Sequence, residues 1–158
     1  MRTAEVKRTT RETDISLAVD LDGTGKAEIG TGVGFFDHML ELLAVHSHMD
    51  VTLSCKGDLQ VDAHHTVEDV GIALGDCVKT ALGAKRGIAR FADRLVPMDE
   101  VAAQVAIDFS GRPCLIFEDT LTGKVGNFDM ELVEEFLRAF STHAACNLYV
   151  RILRMGNR

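Results

Sequence analysis

Ala18-Val19-Asp20-Leu21-Asp22-Gly23 returns later in the chain as Ala106-Ile107-Asp108-Phe109-Ser110-Gly111, and this recurrence sets the architecture. In the first copy Ile15, Leu17, Val19 and Leu21 alternate with polar residues before Asp22-Gly23. That pattern predicts a strand with one buried face, then a hairpin turn. In the second copy Val101, Ala103, Val105, Ile107 and Phe109 alternate before Ser110-Gly111. Val33-Gly34-Phe35-Phe36-Asp37 matches Val125-Gly126-Asn127-Phe128-Asp129, each ahead of a helical pattern, and His46 pairs with His143. The chain is therefore a duplication. An α+β fold of two tandem pseudo-repeats is predicted, residues 1–85 and 86–158, each running strands, helix, strand, helix.

The first repeat closes on Asp62-Ala63-His64-His65-Thr66-Val67-Glu68-Asp69. From Glu68 to Leu82, Val70, Leu74, Cys77, Val78 and Ala81 recur at spacings of three and four, which predicts a half-buried helix from His64 to Leu82 with Asp62 as its cap. One helical turn brings His64 and His65 toward Glu68. Adjacent histidines point about 100° apart around the axis, so they serve two centres more naturally than one. Half of a two-metal site is the reading. Imidazole and carboxylate donors suit Mn, Zn, Fe or Ni. The plainer alternative is a polar helix start whose histidines bond solvent.

At 158 residues and 46% hydrophobic, the chain is long enough for one domain or two small fused ones. A net charge of -7 argues against a general nucleic-acid or membrane-surface role, so the partner is expected to be small. Cys55, Cys77, Cys114 and Cys146 show no C-x-x-C spacing and read as reduced thiols of a cytoplasmic protein. No apolar run reaches membrane-spanning length.

The connecting stretch Lys85-Arg86-Gly87-Ile88-Ala89-Arg90-Phe91 is basic, and Arg112-Pro113 follows the second repeat's first turn. A guanidinium fork fits phosphate oxygens, which makes Arg90 and Arg112 candidates for holding a phosphorylated substrate. Glu12, in Arg11-Glu12-Thr13-Asp14, is a candidate acid or base at a strand start.

Taken together, Arg11-Glu12-Thr13, Gly34-Phe35-Phe36-Asp37-His38-Met39-Leu40, the Asp62–Asp69 stretch, Lys85-Arg86-Gly87-Ile88 and Ser110-Gly111-Arg112-Pro113 resemble the imidazoleglycerol-phosphate dehydratases of histidine biosynthesis. The resemblance implies two similar halves, each a four-stranded sheet backed by two helices, like the second domain of ribosomal protein S5. It implies dehydration of D-erythro-imidazole-glycerol phosphate to imidazole-acetol phosphate through a metal-stabilised imidazolate, with two Mn ions per site. It also implies a homo-oligomer, with sites between subunits and trimers assembling into a 24-subunit shell. Carried over by motif, His38, His64, His65 and Glu68 look like metal ligands, with Glu135 as the second repeat's counterpart of His38. Glu12 looks like a substrate-contacting acid/base beside Glu68, His46 lies near the substrate, and Arg90 and Arg112 look like phosphate ligands.

Shifted by the interval that pairs His46 with His143, the counterparts of His64, His65 and Glu68 fall past Arg158. The second repeat is therefore expected to lack its last helix, leaving the apolar side of the strand around Leu148, Val150 and Ile152 uncovered. Weak metal binding, impaired turnover and assembly no larger than a trimer follow as expectations. Two other functions fit part of the sequence. One is a non-catalytic S5-like module touching nucleic acid through its basic stretches at 85–94 and 151–158, without the interleaved aromatics such binding uses. The other is a metal-dependent hydrolase, which fits the His/Glu cluster alone.

Overall fold

The computed structural model describes residues 1–154; the last four positions of the basic stretch 151–158 lie outside the described residues. The first repeat contains β1 (Thr3–Thr9), β2 (Thr13–Asp20), β3 (Ala27–Gly30), α1 (Gly34–Ser47), β4 (Asp50–Gly57) and α2 (His64–Leu82). The second contains β5 (Phe91–Met98), β6 (Val101–Asp108), β7 (Cys114–Glu118), a small hairpin β8 (Lys124–Val125) and β9 (Phe128–Asp129), α3 (Leu132–Ala144) and β10 (Asn147–Arg154). The two main sheets share one topology, β1-β2-β4-β3 and β5-β6-β10-β7. The recurrence of Ala18–Gly23 at Ala106–Gly111 is thus a recurrence of β2 as β6.

The predicted hairpin at Asp22-Gly23 does not form. β2 pairs with β1 before it and with β4, while β3 lies beyond β4 and runs parallel to it. A parallel pair needs a crossover, and α1 supplies it. The same correction holds at Ser110-Gly111, since β7 pairs in parallel with β10. The match of Val33–Asp37 with Val125–Asp129 is also one of sequence only. The first segment enters α1, whereas the second forms the β8–β9 hairpin inserted between β7 and α3. That insertion accounts for the drift in spacing between the two copies.

Strict alternation places Ile15, Leu17 and Val19 on one face of β2, opposite Cys55, Leu53 and Val51 of β4. All six are buried. Val67, Val70, Ala73, Leu74, Cys77 and Val78 of α2 close over them. Burying a side chain of this size contributes about 2 kcal/mol against leaving it in water. The opposite side of α2 meets α3 at Gly71 and Gly75. A Cβ on Gly71 would lie 2.9 Å from the Phe136 carbonyl oxygen, and one on Gly75 would lie 2.7 Å from His143 Cβ. The helix stops at Gly83, whose φ of 50° suits glycine and whose N–H bonds the Lys79 and Thr80 carbonyls.

The β8–β9 hairpin ties the repeats together. Phe128 is buried, with its ring 5.3 Å from Phe35 and 6.0 Å from Phe36, and Phe36 meets Phe136 edge-on at 5.5 Å. The second sheet is less well covered. Leu148 is buried, contrary to expectation, while Val150 and Ile152 are half-buried. Exposure falls instead on the neighbouring strands, where Val105 is 37%, Val96 57% and Met98 70% exposed. β5 is exposed along its whole length.

Candidate active site

Leaving β4 at Gly57, the chain turns, with the Val61 N–H bonding the Asp58 carbonyl at 2.8 Å, and enters α2. The N-cap of α2 is Ala63 and not the predicted Asp62, which stands one residue earlier and accepts the first helical N–H, that of His64, at 2.8 Å. On the first turn the two histidines diverge, with ring planes 83° apart and centroids separated by 6.1 Å. His64 Nε2 lies 3.9 Å from Glu68 Oε2, close enough for charge but too far for a hydrogen bond. His65 faces Asp58, its Nδ1 2.9 Å from Oδ2. That hydrogen bond, above all, holds the His65 pKa above the usual imidazole value. The charges of Asp58, Glu12 and Asp62 act in the same direction, and burial opposes them.

Glu12 sits in the turn between β1 and β2, where Thr10 Oγ1 accepts the N–H groups of Glu12 and Thr13 at 3.1 and 3.0 Å. The turn is fastened to α2 from below. Thr13 Oγ1 donates to Asp69 Oδ2 at 2.5 Å, and Arg8 Nε and Nη2 donate to Asp69 Oδ1 at 3.0 and 2.8 Å. Asp69 is buried, so this network fixes Glu12's turn relative to the histidines. Glu12, Lys56, Asp58 and Gln60 line a shallow cavity of about 300 Å³.

A second groove, about 210 Å³, runs between α2 and α3 and is lined by Glu68, Glu135, Arg138 and His143. The fold thus brings Glu68 and Glu135 to one groove. His143 is tied to Asp76 at 3.0 Å, and Arg138 pairs with Glu134. His38 and His46 are exposed on α1 and line neither space. Among the described residues, no three His, Cys, Asp or Glu side chains converge to hold a metal ion.

At the far end of the second sheet Arg90 forks onto Asp108, with Nε and Nη2 donating at 2.6 and 3.0 Å, and its guanidinium lies 4.8 Å from the Phe91 ring centroid. Arg90, and beyond it Arg112 and Lys85, hold the Asp108 carboxyl below the usual carboxylate range. Arg112 is exposed beside Ser110, whose Oγ accepts its N–H at 3.1 Å. Lys85 donates to the Phe109 carbonyl at 3.0 Å. The fold therefore adds Lys85 to the two arginines as a third cation. Sequence reasoning also missed Asp58 and Asp69. A charged residue among the apolar positions of α2 was a signal for Asp69; Asp58 had none, since its role depends on a turn.

The profile of the imidazoleglycerol-phosphate dehydratase family matches residues 31–158. The imidazoleglycerol-phosphate dehydratase of Methylorubrum extorquens is 58% identical over 154 residues, covering 97% of this chain and 79% of that protein. That of Azorhizobium caulinodans is 56% identical over 158 residues, covering 99% and 80%. Among solved structures, the Staphylococcus aureus enzyme superposes with a TM-score of 0.87 at 36% identity, over 98% of this chain and 86% of that one. The Pyrococcus furiosus enzyme gives 0.82 at 29% identity, over 96% and 81%.

Proposed function

Because the chain belongs to the imidazoleglycerol-phosphate dehydratase family of hydro-lyases, whose step lies in histidine biosynthesis, we propose that it removes water from D-erythro-imidazole-glycerol phosphate to give imidazole-acetol phosphate. The observation that carries this is the head of α2, where His64, His65 and Glu68 stand on one turn with Asp58 behind His65. The donor set fits manganese. Imidazole nitrogen and carboxylate oxygen are donors Mn accepts, and the Asp58 bond leaves His65 Nε2 as its free nitrogen.

His64, His65 and Glu68 would hold the metal, which when bound would supply positive charge at the substrate's imidazole ring. Glu12 and Glu68 take and return protons, held by the Thr10–Thr13 turn and by the first turn of α2. Arg112, Arg90 and Lys85 bind the phosphate, with Asp108 keeping the Arg90 fork aligned until the anion arrives. His46 contacts the substrate, and His38 and Glu135 serve as further metal ligands. Among the described residues the donors of one copy do not converge, which supports a site completed between copies of a homo-oligomer, with trimers as the building unit. With few donors close together among the described residues, turnover of the 158-residue chain is expected to be weak. The setting is cytoplasmic, in keeping with four free thiols.

The test follows imidazole-acetol phosphate after chelation and Mn addition. Product that needs Mn and disappears in Glu68→Gln is expected. Mn-loaded protein that forms no product, or product indifferent to Glu68→Gln, contradicts the assignment.

A further inference from the structure

We propose that Asp58 is a positioning residue that fixes His65 in the tautomer whose Nε2 is left free to bind a metal; the inference rests on the metal-site reading above. A carboxylate can only accept, so the 2.9 Å approach of His65 Nδ1 to Asp58 Oδ2 puts the hydrogen on Nδ1. In the neutral ring the lone pair is then on Nε2, the nitrogen pointing away from Asp58.

The two partners are unequal in a telling way. The Asp58 side chain is 15% exposed and that of His65 is 43% exposed, so a sheltered carboxylate holds an accessible ring. Asp58 Oδ1 is buried with no hydrogen-bond partner among the described residues. A carboxylate held in this state costs stability, and it is the bond to His65 that its other oxygen makes. Its position is set by backbone. The Asp58 carbonyl accepts the Val61 N–H, and the preceding Gly57 is pressed so closely on α2 that a Cβ there would overlap Thr66 Oγ1. Asp58 cannot drift from the turn of helix that carries His65. The His64 ring is held differently, its Nε2 lying 3.9 Å from Glu68 Oε2, beyond hydrogen-bond reach. Of the adjacent histidines, one is thus hydrogen-bonded from behind and the other is set beside a carboxylate.

The test compares the full chain with Asp58→Ala, Asp58→Asn and His65→Ala, reading the histidine tautomer in metal-free protein by long-range ¹H–¹⁵N spectra and Mn affinity by electron paramagnetic resonance of the free ion. The wild type is expected to show His65 as the Nδ1–H tautomer. In Asp58→Ala that signature is lost and Mn affinity falls 10- to 100-fold, the range for removal of a residue supporting a ligand. Asp58→Asn, which keeps an acceptor oxygen, falls less and remains informative if the alanine variant fails to fold. Asp58→Ala on the His65→Ala background adds little further loss. An Nε2–H tautomer in the wild type, or unchanged Mn affinity in Asp58→Ala while His65→Ala lowers it, overturns the positioning role and leaves the metal site standing. Mn affinity indifferent to His65→Ala overturns both.

Discussion

Asp69 concentrates more of the site's geometry than any residue that touches substrate in the proposed scheme. Its two oxygens take three hydrogen bonds, from Thr13 and from both faces of the Arg8 fork, while the side chain is nearly sealed from water. Replacing it with alanine leaves Thr13 Oγ1 and a guanidinium without their acceptor. Hydrogen bonds to charged groups are worth about 1.5–3 kcal/mol, and Arg8 is half in solvent, so a loss of about 2–3 kcal/mol is expected in urea unfolding of Asp69→Ala. Glu12 then loses its anchored turn, and activity falls further than stability alone explains. The thiols give a second expectation. Burial raises Cys55 and Cys77 to about 11 and pushes Cys146 up as well, while Cys114 is exposed. Thiolate is the reactive form, so brief alkylation of native protein at pH 8 modifies Cys114 alone, as peptide mass mapping will show. Because the folded pKa values of Cys55 and Cys77 lie above the unfolded value of 9.0, their contribution to stability is complete below pH 9 and is lost as pH rises toward about 11. Thermal midpoints are expected to fall across that window and not below it.

Among the elements, α2 was the most legible, because its three-and-four spacing runs for nineteen residues and its stop is a glycine. β2 and β6 were equally plain from alternation. Their neighbours were not, since a turn signal such as Asp22-Gly23 says that the chain reverses and not which strand it will pair with. The β8–β9 hairpin escaped for another reason. Its strands are two residues each, too short for any period, and the segment holding Phe128 matches Val33–Asp37, which leads into a helix. The α2–α3 crossing was also invisible, because glycine within a helical pattern looks like a weakness until the opposing backbone is seen. Gly75→Ala tests that crossing. Alanine gains about 1 kcal/mol of helix propensity over glycine, but a methyl 2.7 Å from His143 Cβ and 2.8 Å from Ala144 N must displace backbone. Overpacking of this kind costs about 1–3 kcal/mol and outweighs the gain, so a net loss in thermal unfolding is expected. Of the site, His64, His65 and Glu68 were legible because they share one turn. Asp58, Lys85 and the Glu68–Glu135 groove were not, because each joins separate elements.

On the scale of the whole molecule, the uneven cover of the two sheets is the dominant property. The first sheet is closed by α1 and α2, whereas the second offers Val96, Met98 and Val105 to solvent and carries an exposed edge strand in β5. Apolar surface of this extent, on an edge free to pair, favours association. Light scattering is expected to give a mass above that of the 17.2 kDa chain, and a monomer at micromolar concentration contradicts the expectation. The aromatic contact between the repeats has a different consequence, in time. Phe128 and Leu132 belong to the same apolar cluster as Ile15 and Leu17, more than a hundred residues earlier in synthesis. A nascent chain that has finished α2 therefore still lacks part of its own interior and presents Gly71 and Gly75 to nothing. The first repeat's interior is completed only when α3 and the β8–β9 hairpin pack onto it, so closure of that long loop is expected to slow the last step of its folding.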